Sequence, residues 1–576
     1  MQTTRKDYSV TKMSGKILKF KKDDKSKYER ANRRCDDGDY VGALSSLLYT
    51  AESEPKNTEV LCHIADIYTE LGLYENAVIF WFRFLSKCRK TDVIDGYNGL
   101  GANFFFLDNL ELAGFYFNKQ LGLGDYGECV YDDVLDEYVD AVANDDKPRF
   151  NVISADSERD EIDENNYRAA VEENKREDYI SAVASAEKVS EQSEFYEKAL
   201  YEKAYGLFCL DREYEACEIL EKCVAIDKND VNAYNLLLGC YAQAGDEEKV
   251  ETYFKKLLEV DSDSTEILNR KMSVLCDFGY PEEALAVSDK IMRLAPDDTN
   301  CSYLRGLLLY NLNQCDKAVV YLKKAYIYSL NPVALYYLRI AERACDGDQS
   351  VPKRLPLIFD LQKTEIDRRL EAIRKLFGGT AEKDEYSEAY IKETAEWCFI
   401  GGNQTAQMAL AVYAARSKNK TSINFLRNQL INPALSDDIK IRIFSLLVET
   451  GEITDHSEVS VVYSNIFKKI RVFVPVFGPD APVVFRQAYA YAAGRVSIYF
   501  DKEMKQLAVG VTELESAMRK NGGFSEFTDL RVIACAMFIY SGINRHADMD
   551  TIYKFFDAKK EDVVRLIAYA NKKGND

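Results

Sequence analysis

Apolar side chains recur at helical spacing along most of this chain. Around Gly279, Ile267, Leu268, Met272 and Leu275 share one helical face. Gly279 interrupts, and Ala284, Leu285, Val287, Ile291 and Met292 resume the pattern until Pro296 stops it. The unit reads as helix, turn, helix, stop, and it repeats. Every thirty-fourth residue from Tyr167 is Tyr201, Asn235, Asn269, Tyr303 and Tyr337, all Tyr or Asn. Fifteen residues further into each repeat stand Ala182, Ala216, Val250, Ala284 and Ala318, where a small side chain lets two helices approach closely. A third column, Ala170, Ala204, Leu238, Met272, Gly306 and Ile340, is small or apolar throughout. Fixed periods of this length mark stacked repeat arrays.

The turn Gly279-Tyr280-Pro281-Glu282-Glu283-Ala284 and the end Ala295-Pro296 carry a resemblance, as do Gly245-Asp246 and the run from Asp211 to Ala216. Upstream, Gly38-Asp39-Tyr40 with Ala43 and Pro55 makes one unit, and Leu71-Gly72-Leu73-Tyr74 with Ala77 the next. A looser unit from Asp92 to Gly122 has Gly101, Phe104, Ala113 and Phe117 at the expected slots. Over residues 24–122 and 162–347 the chain resembles the tetratricopeptide repeat family, built on a 34-residue helix pair. A lone pair cannot bury its apolar stripe, so the resemblance implies an all-α, helical-repeat solenoid with a concave groove lined by the first helix of each pair.

The resemblance places Tyr167, Tyr201, Asn235, Asn269, Tyr303 and Tyr337 on that groove, with Arg270 beside Asn269. Either this column is a ladder of neutral hydrogen-bonding groups that grips an extended protein or peptide segment, or it packs against the neighbouring unit. Some members of the family clamp a terminal carboxylate with Lys and Asn. The matching slots of the first array include His63, Asn98 and Ala102, without the lysines.

The arrays are separated by residues 125–164, with fifteen Asp/Glu against three Lys/Arg. Val134, Leu135 and Tyr138 predict one helix there, and the stretch from Asn144 to Asn165 reads as a loop. After Gly347 the repeat fades, and Pro352-Lys353-Arg354-Leu355-Pro356 marks a boundary. Leu361, Ile366, Leu370, Ile373 and Phe377 predict an amphipathic helix with Arg368, Arg369, Arg374 and Lys375 on its other faces. Alternation along Ile470, Val472, Val474 and Val476 predicts a β-hairpin near 458–477 within an otherwise helical domain. The stretch from Asp550 to Ile567 looks like a helix-turn-helix, a family in which the second helix enters the major groove. On that alternative, Lys559, Lys560 and Arg565 are the phosphate contacts of a DNA-binding regulator, although Glu561 and Asp562 stand at the same helix start.

The resulting organisation is a basic arm over 1–23, a first array of about three units over 24–122, and an acidic helix and linker over 123–161. A second array of about five and a half units spans 162–347, and a mainly helical C-terminal domain spans 348–576.

Composition sharpens rather than alters this picture. The 576 residues carry a net charge of −20, which argues against wholesale coating of nucleic acid or anionic lipid. Residues 1–34, with twelve Lys/Arg and four Asp/Glu, run the other way. Nucleic acid contact is therefore confined to the C-terminal segment or the N-terminal arm. None of the 14 cysteines stands in a Cys-x-x-Cys pair, and the histidines are only 3, which fits reduced thiols and no metal site. Neither a secretory leader nor a membrane-spanning run is seen, so a cytoplasmic location is expected. Nucleotide-loop and nucleophile-elbow motifs are absent. The function expected is therefore a non-catalytic interaction or scaffold protein without a cofactor.

Overall fold

The computed structural model describes residues 25–123, 131–143, 155–382, 385–478, 481–524, 526–543 and 548–571. The predicted basic arm and residues 144–154 of the acidic linker lie outside them. The described parts of Met1–Asn144 and Leu361–Asp576 form one compact unit, and those of Asp145–Asp360 form another. The linear order of the repeats does not announce that grouping.

The second unit is a run of antiparallel helix pairs. They are α8 (Ala155–Lys175) with α9 (Tyr179–Ala186), α10 (Tyr196–Cys209) with α11 (Glu213–Ile226), and α12 (Val231–Ala244) with α13 (Glu247–Glu259). Next come α14 (Thr265–Asp277) with α15 (Pro281–Leu294), α16 (Thr299–Asn311) with α17 (Cys315–Ser329), and the single α18 (Pro332–Cys345). Asp230, Asp246, Ser264 and Asp298 start their helices by accepting a backbone N–H, which satisfies a donor the first turn leaves open. Left-handed Gly245 and Gly279 end α12 and α14, at φ 73° and 79°, where a side chain would be strained. Pro281 follows as the first residue of α15, where its fixed φ suits a helix start.

The small-residue columns are where the helices meet. Ala182, Ala216, Ala284 and Ala318 are fully buried, as are Ala170, Ala204, Leu238 and Met272. A Cβ on Gly306 would stand 2.6 Å from Leu322, so α16 and α17 approach too closely for any other residue. Cys223 is buried in a column with Val189, Leu257, Ile291 and Ala325, and burial pushes its thiol up to about 12, as suits a small hydrophobe. Each first helix from α10 onward also touches the next first helix, so α10, α12, α14, α16 and α18 make one continuous face. The predicted loop over 144–165 is corrected in part, because α8 already begins at Ala155. Apolar periodicity reports burial of a face, and an Asp/Glu/Arg-rich stretch can be helical without it.

The first unit opens with three further pairs. They are α1 (Lys25–Asp36) with α2 (Tyr40–Ser53), α3 (Thr58–Glu70) with α4 (Tyr74–Lys87), and α5 (Val93–Phe106) with α6 (Leu110–Leu121). The predicted extra helix, α7 (Asp132–Ala143), packs on α5 and α6. The unit continues through α19 (Lys363–Gly378), α20 (Glu388–Gly401), α21 (Gln404–Arg416), α22 (Lys420–Gln429) and α23 (Asp437–Glu449). An antiparallel hairpin of β1 (Glu458–Tyr463) and β2 (Ile466–Arg471) follows, joined by Ser464 and Asn465, both at positive φ. It ends before Val472, short of the predicted 477. Last are α24 (Val483–Tyr499), α25 (Met504–Lys520), α26 (Leu530–Tyr540), α27 (Met549–Phe556) and α28 (Lys560–Ala570).

The hairpin docks on the first array. The Tyr116 hydroxyl of α6 donates to the Asn465 carbonyl at 2.6 Å and accepts from the Phe467 N–H at 3.0 Å, while Phe82 of α4 stacks on Phe467. In α19 the predicted face is shifted: Phe377 is exposed, whereas Arg369 is buried. Arg369 is held there by Glu365 at 2.9 Å and by the rings of Tyr390 and Trp397, so a paired cation takes a core slot. Among the described residues, no helix is long and apolar enough to cross a membrane.

Candidate functional site: the first-helix face of the second array

The Tyr/Asn column lies on successive first helices, as the spacing predicts, but its members do different things. Tyr167 on α8 stacks on Phe195 ahead of α10, with ring centroids 5.8 Å apart. Asn269 on α14 donates from Nδ2 to Asp298 Oδ2 at 2.8 Å, while Asp298 Oδ1 caps α16 by accepting from the Cys301 N–H. Asn269 therefore ties one unit to the next, and its Oδ1 is buried without a partner. Arg270 is exposed and paired with Glu266 at 2.6 Å. Tyr201 is half-buried; burial, with Glu202 and Asp230 nearby, pushes its hydroxyl up to about 12 against the opposing charge of Arg270. Asn235 is exposed.

At the end of the array the face is covered by the chain itself. Residues 351–360 form a strap without helix or strand, bent at 351, 353–354 and 358–360. Tyr303 and Tyr337 are buried beneath it; their hydroxyls donate to the carbonyls of Ile358 at 2.8 Å and Asp360 at 3.0 Å. Tyr310 donates to the Pro352 carbonyl at 2.5 Å. Asn311 holds Leu355 from both sides, donating to its carbonyl at 2.8 Å and accepting from its N–H at 2.7 Å. Every one of these contacts goes to main chain. Side-chain anchoring is sparse: Leu355 is 3% exposed and Phe359 stacks on Tyr303 at 5.4 Å, yet Phe359 is 50% exposed and Lys353 and Arg354 lie in solvent.

Tyr310 and Asn311 hold the strap, and the periodic column misses them. They stand seven and eight residues beyond Tyr303, two turns along the same helix, and the i+7 rule was the available signal.

The first array buries the equivalent face with a different device. Asn98 is buried, with Oδ1 accepting the Tyr131 N–H at 2.8 Å and Nδ2 donating to Gln120 at 3.1 Å. The Tyr131 hydroxyl, also buried, donates to Asp66 Oδ1 at 3.0 Å, and the Cys62 thiol lies 3.6 Å from Asp66 Oδ2. Burial pushes the Asp66 carboxyl up to about 7 against the lowering effect of both hydrogen bonds. Asn98 and the buried Ala102 are thus committed to the interior, and His63 is partly buried with a lowered pKa caused by burial.

Of the candidate DNA contacts, Lys560 is paired with Asp550 at 2.9 Å and Arg565 with Asp562 at 3.4 Å, whereas Lys559 is an exposed residue at the start of α28. Asp557, where a turn glycine is common, takes the left-handed conformation at φ 50° and pairs with Arg531.

A family model described as Tetratricopeptide repeat matches residues 58–80 and 231–264. Among solved structures, the chain is similar to "Crystal Structure of P58(IPK) TPR Domain at 2.5 A" at 14% identity, covering 57% of this chain and 99% of that one, with a TM-score of 0.19. It is also similar to "Crystal Structure of the Yeast Tom70" at 13% identity, covering 86% and 97%, with a TM-score of 0.26. A third, "Crystal structure of APC/C hetero-tetramer Cut9-Hcn1", is 12% identical, covers 95% and 90%, and has a TM-score of 0.24. No curated protein matches.

Proposed function

We propose that this tetratricopeptide-repeat protein is a non-catalytic interaction or scaffold protein that receives an extended segment of a partner protein along the first-helix face of its second array. The observation that carries this reading is the strap: Tyr303, Tyr310, Asn311 and Tyr337 hold a backbone that is neither helix nor strand through its own carbonyls and N–H. A neutral hydroxyl or amide that meets main chain reads the shape of the segment and tolerates many sequences. The uncovered part of the face carries half-buried Tyr201, exposed Asn235, and Arg270 with its Glu266 partner. This is where the partner segment begins.

Affinity capture of the intact chain with a photo-cross-linker at Asn235 tests the reading. A partner protein is expected to cross-link there, and adding Tyr201→Ala to the cross-linker-bearing chain is expected to lower its yield at least fivefold at unchanged helicity. Unchanged capture removes the assignment.

A further inference from the structure

The strap is more than a linker that happens to cross a helix face. Its contacts are those of a bound peptide: five hydrogen bonds to main chain, one buried aliphatic anchor and one stacked aromatic. Its sequence, Val351-Pro352-Lys353-Arg354-Leu355-Pro356-Leu357-Ile358-Phe359, resists helix and strand because Pro removes donors and biases the preceding residue to extended backbone. A segment with two prolines loses less conformational freedom on docking.

We infer that the strap is an internal stand-in for an external ligand, and that the end of the second array binds a non-helical, proline-containing protein segment of the pattern Pro-x-x-Leu-Pro-x-x-aromatic in exchange for it. This deepens the proposed function and rests on it. The commitment to that chemistry comes from what each contact accepts. Leu355 is the only strap side chain from 351 to 360 that is buried, so the ligand needs an aliphatic residue there. Phe359 lies on the Tyr303 ring, which calls for an aromatic four residues later. Lys353 and Arg354 point to solvent, so those places are free in the ligand.

Exchange is set by competition. A short tether holds the strap at an effective concentration on the order of millimolar, so a free peptide of equal intrinsic affinity barely displaces it. A partner that also engages Tyr201 and Asn235 on the uncovered face gains a second foothold and displaces it. The strap thus makes binding at the end of the array conditional on contact further along.

The test uses the intact chain and a fluorescein-labelled synthetic peptide of residues 350–362. A chain carrying Leu355→Asp and Phe359→Ala releases its own strap without altering the face beneath. It is expected to bind the peptide at least tenfold more tightly than the unaltered chain does. Adding Tyr303→Phe, Tyr310→Phe and Tyr337→Phe, which removes only hydroxyls, is expected to weaken that binding at least fivefold. A released chain with unchanged helicity that binds no better than the unaltered one overturns the inference.

Hydrogen exchange on the unaltered chain is a second test that needs no substitution. Exchange of the Leu355 amide at least tenfold faster than the core amides of α16 supports a displaceable strap, and exchange only on global unfolding overturns it. A concentration-dependent dimer that Leu355→Asp with Phe359→Ala removes would assign the face to a second copy's strap, and would also overturn it. Failure of the peptide while cross-linking at Asn235 still captures a partner sinks this inference alone. Failure of the cross-linking sinks the proposed function.

Discussion

Both repeat arrays fold the chain that follows them back onto their own first helices, yet the two covers differ in kind. In the first array Tyr131 is buried and bonded at both its N–H and its hydroxyl, to Asn98 and Asp66, and α7 packs behind it. In the second, a bent strap is held by hydroxyls and one amide, with a single buried side chain between Val351 and Asp360. The first cover is interior and its removal leaves buried polar groups unpaired. The second is a peptide on a surface, and its removal leaves tyrosine hydroxyls that water can satisfy. Equivalent faces of the two arrays are thus closed in two ways, one by a buried side chain with its own polar partners and one mainly through backbone contacts.

Substitution at the first cover should have the largest effect. Tyr131→Ala is expected to destabilise the first unit by about 3–5 kcal/mol, as for other large aromatic truncations in a core. Both tryptophans of the chain, Trp81 and Trp397, lie in that unit, so the midpoint of urea unfolding followed by tryptophan fluorescence reads it directly.

The next effect is a pH dependence centred on the first cover. The Asp66 carboxyl is raised from its ordinary value to about 7 by burial, so the folded protein binds a proton that the unfolded chain releases. That stabilisation is fully present below about pH 4 and is lost as pH rises towards 7, a fall on the order of 2–4 kcal/mol. Asp95, raised to about 6 chiefly by burial, acts in the same direction. Asp66→Asn keeps an acceptor for Tyr131 and should flatten the profile between pH 4 and 8. An unchanged profile would show that Asp66 is ionised in the folded state.

Smaller effects belong to the second cover. Leu355→Ala should weaken strap docking by about 2 kcal/mol, near the low end for buried leucine, and speed exchange of the strap amides roughly thirtyfold at unchanged helicity. Tyr310→Phe removes one hydrogen bond, worth about 0.5–1.5 kcal/mol, and should speed the same exchange by a few-fold only. A Leu355→Ala chain that loses helicity would make the strap as integral as Tyr131 and erase the contrast.

How much of this is legible in the sequence follows from what repeats. The columns of Ala284, Met272 and Tyr303 recur because every unit solves the same packing problem, so the helix pairs and their first-helix face are readable at thirty-four-residue intervals. A strap occurs once and has no period. Pro352 and Pro356 announce extended backbone without naming what it lies on. Tyr310 and Asn311 belong to one unit only, and no column exposes them. Asn98 and Asn269 share a residue type with Asn235, yet one is sealed beneath Tyr131, one is spent on the Asp298 cap, and one is exposed. Residue type fixes which hydrogen bonds a side chain can make, and only the fold decides with whom. Arg369 teaches the same: a charge drawn on the polar face of α19 is core because Glu365 stands one turn earlier.

The contrast between the covers rests most directly on hydrogen exchange of two amides in the intact chain, those of Tyr131 and Leu355, each bonded to an asparagine side chain. The Tyr131 amide is expected to exchange only with the core of α4, at the rate of global unfolding, while the Leu355 amide exchanges at least tenfold faster than the core of α16. Equal protection of the two, each at the rate of its own core, would contradict that contrast.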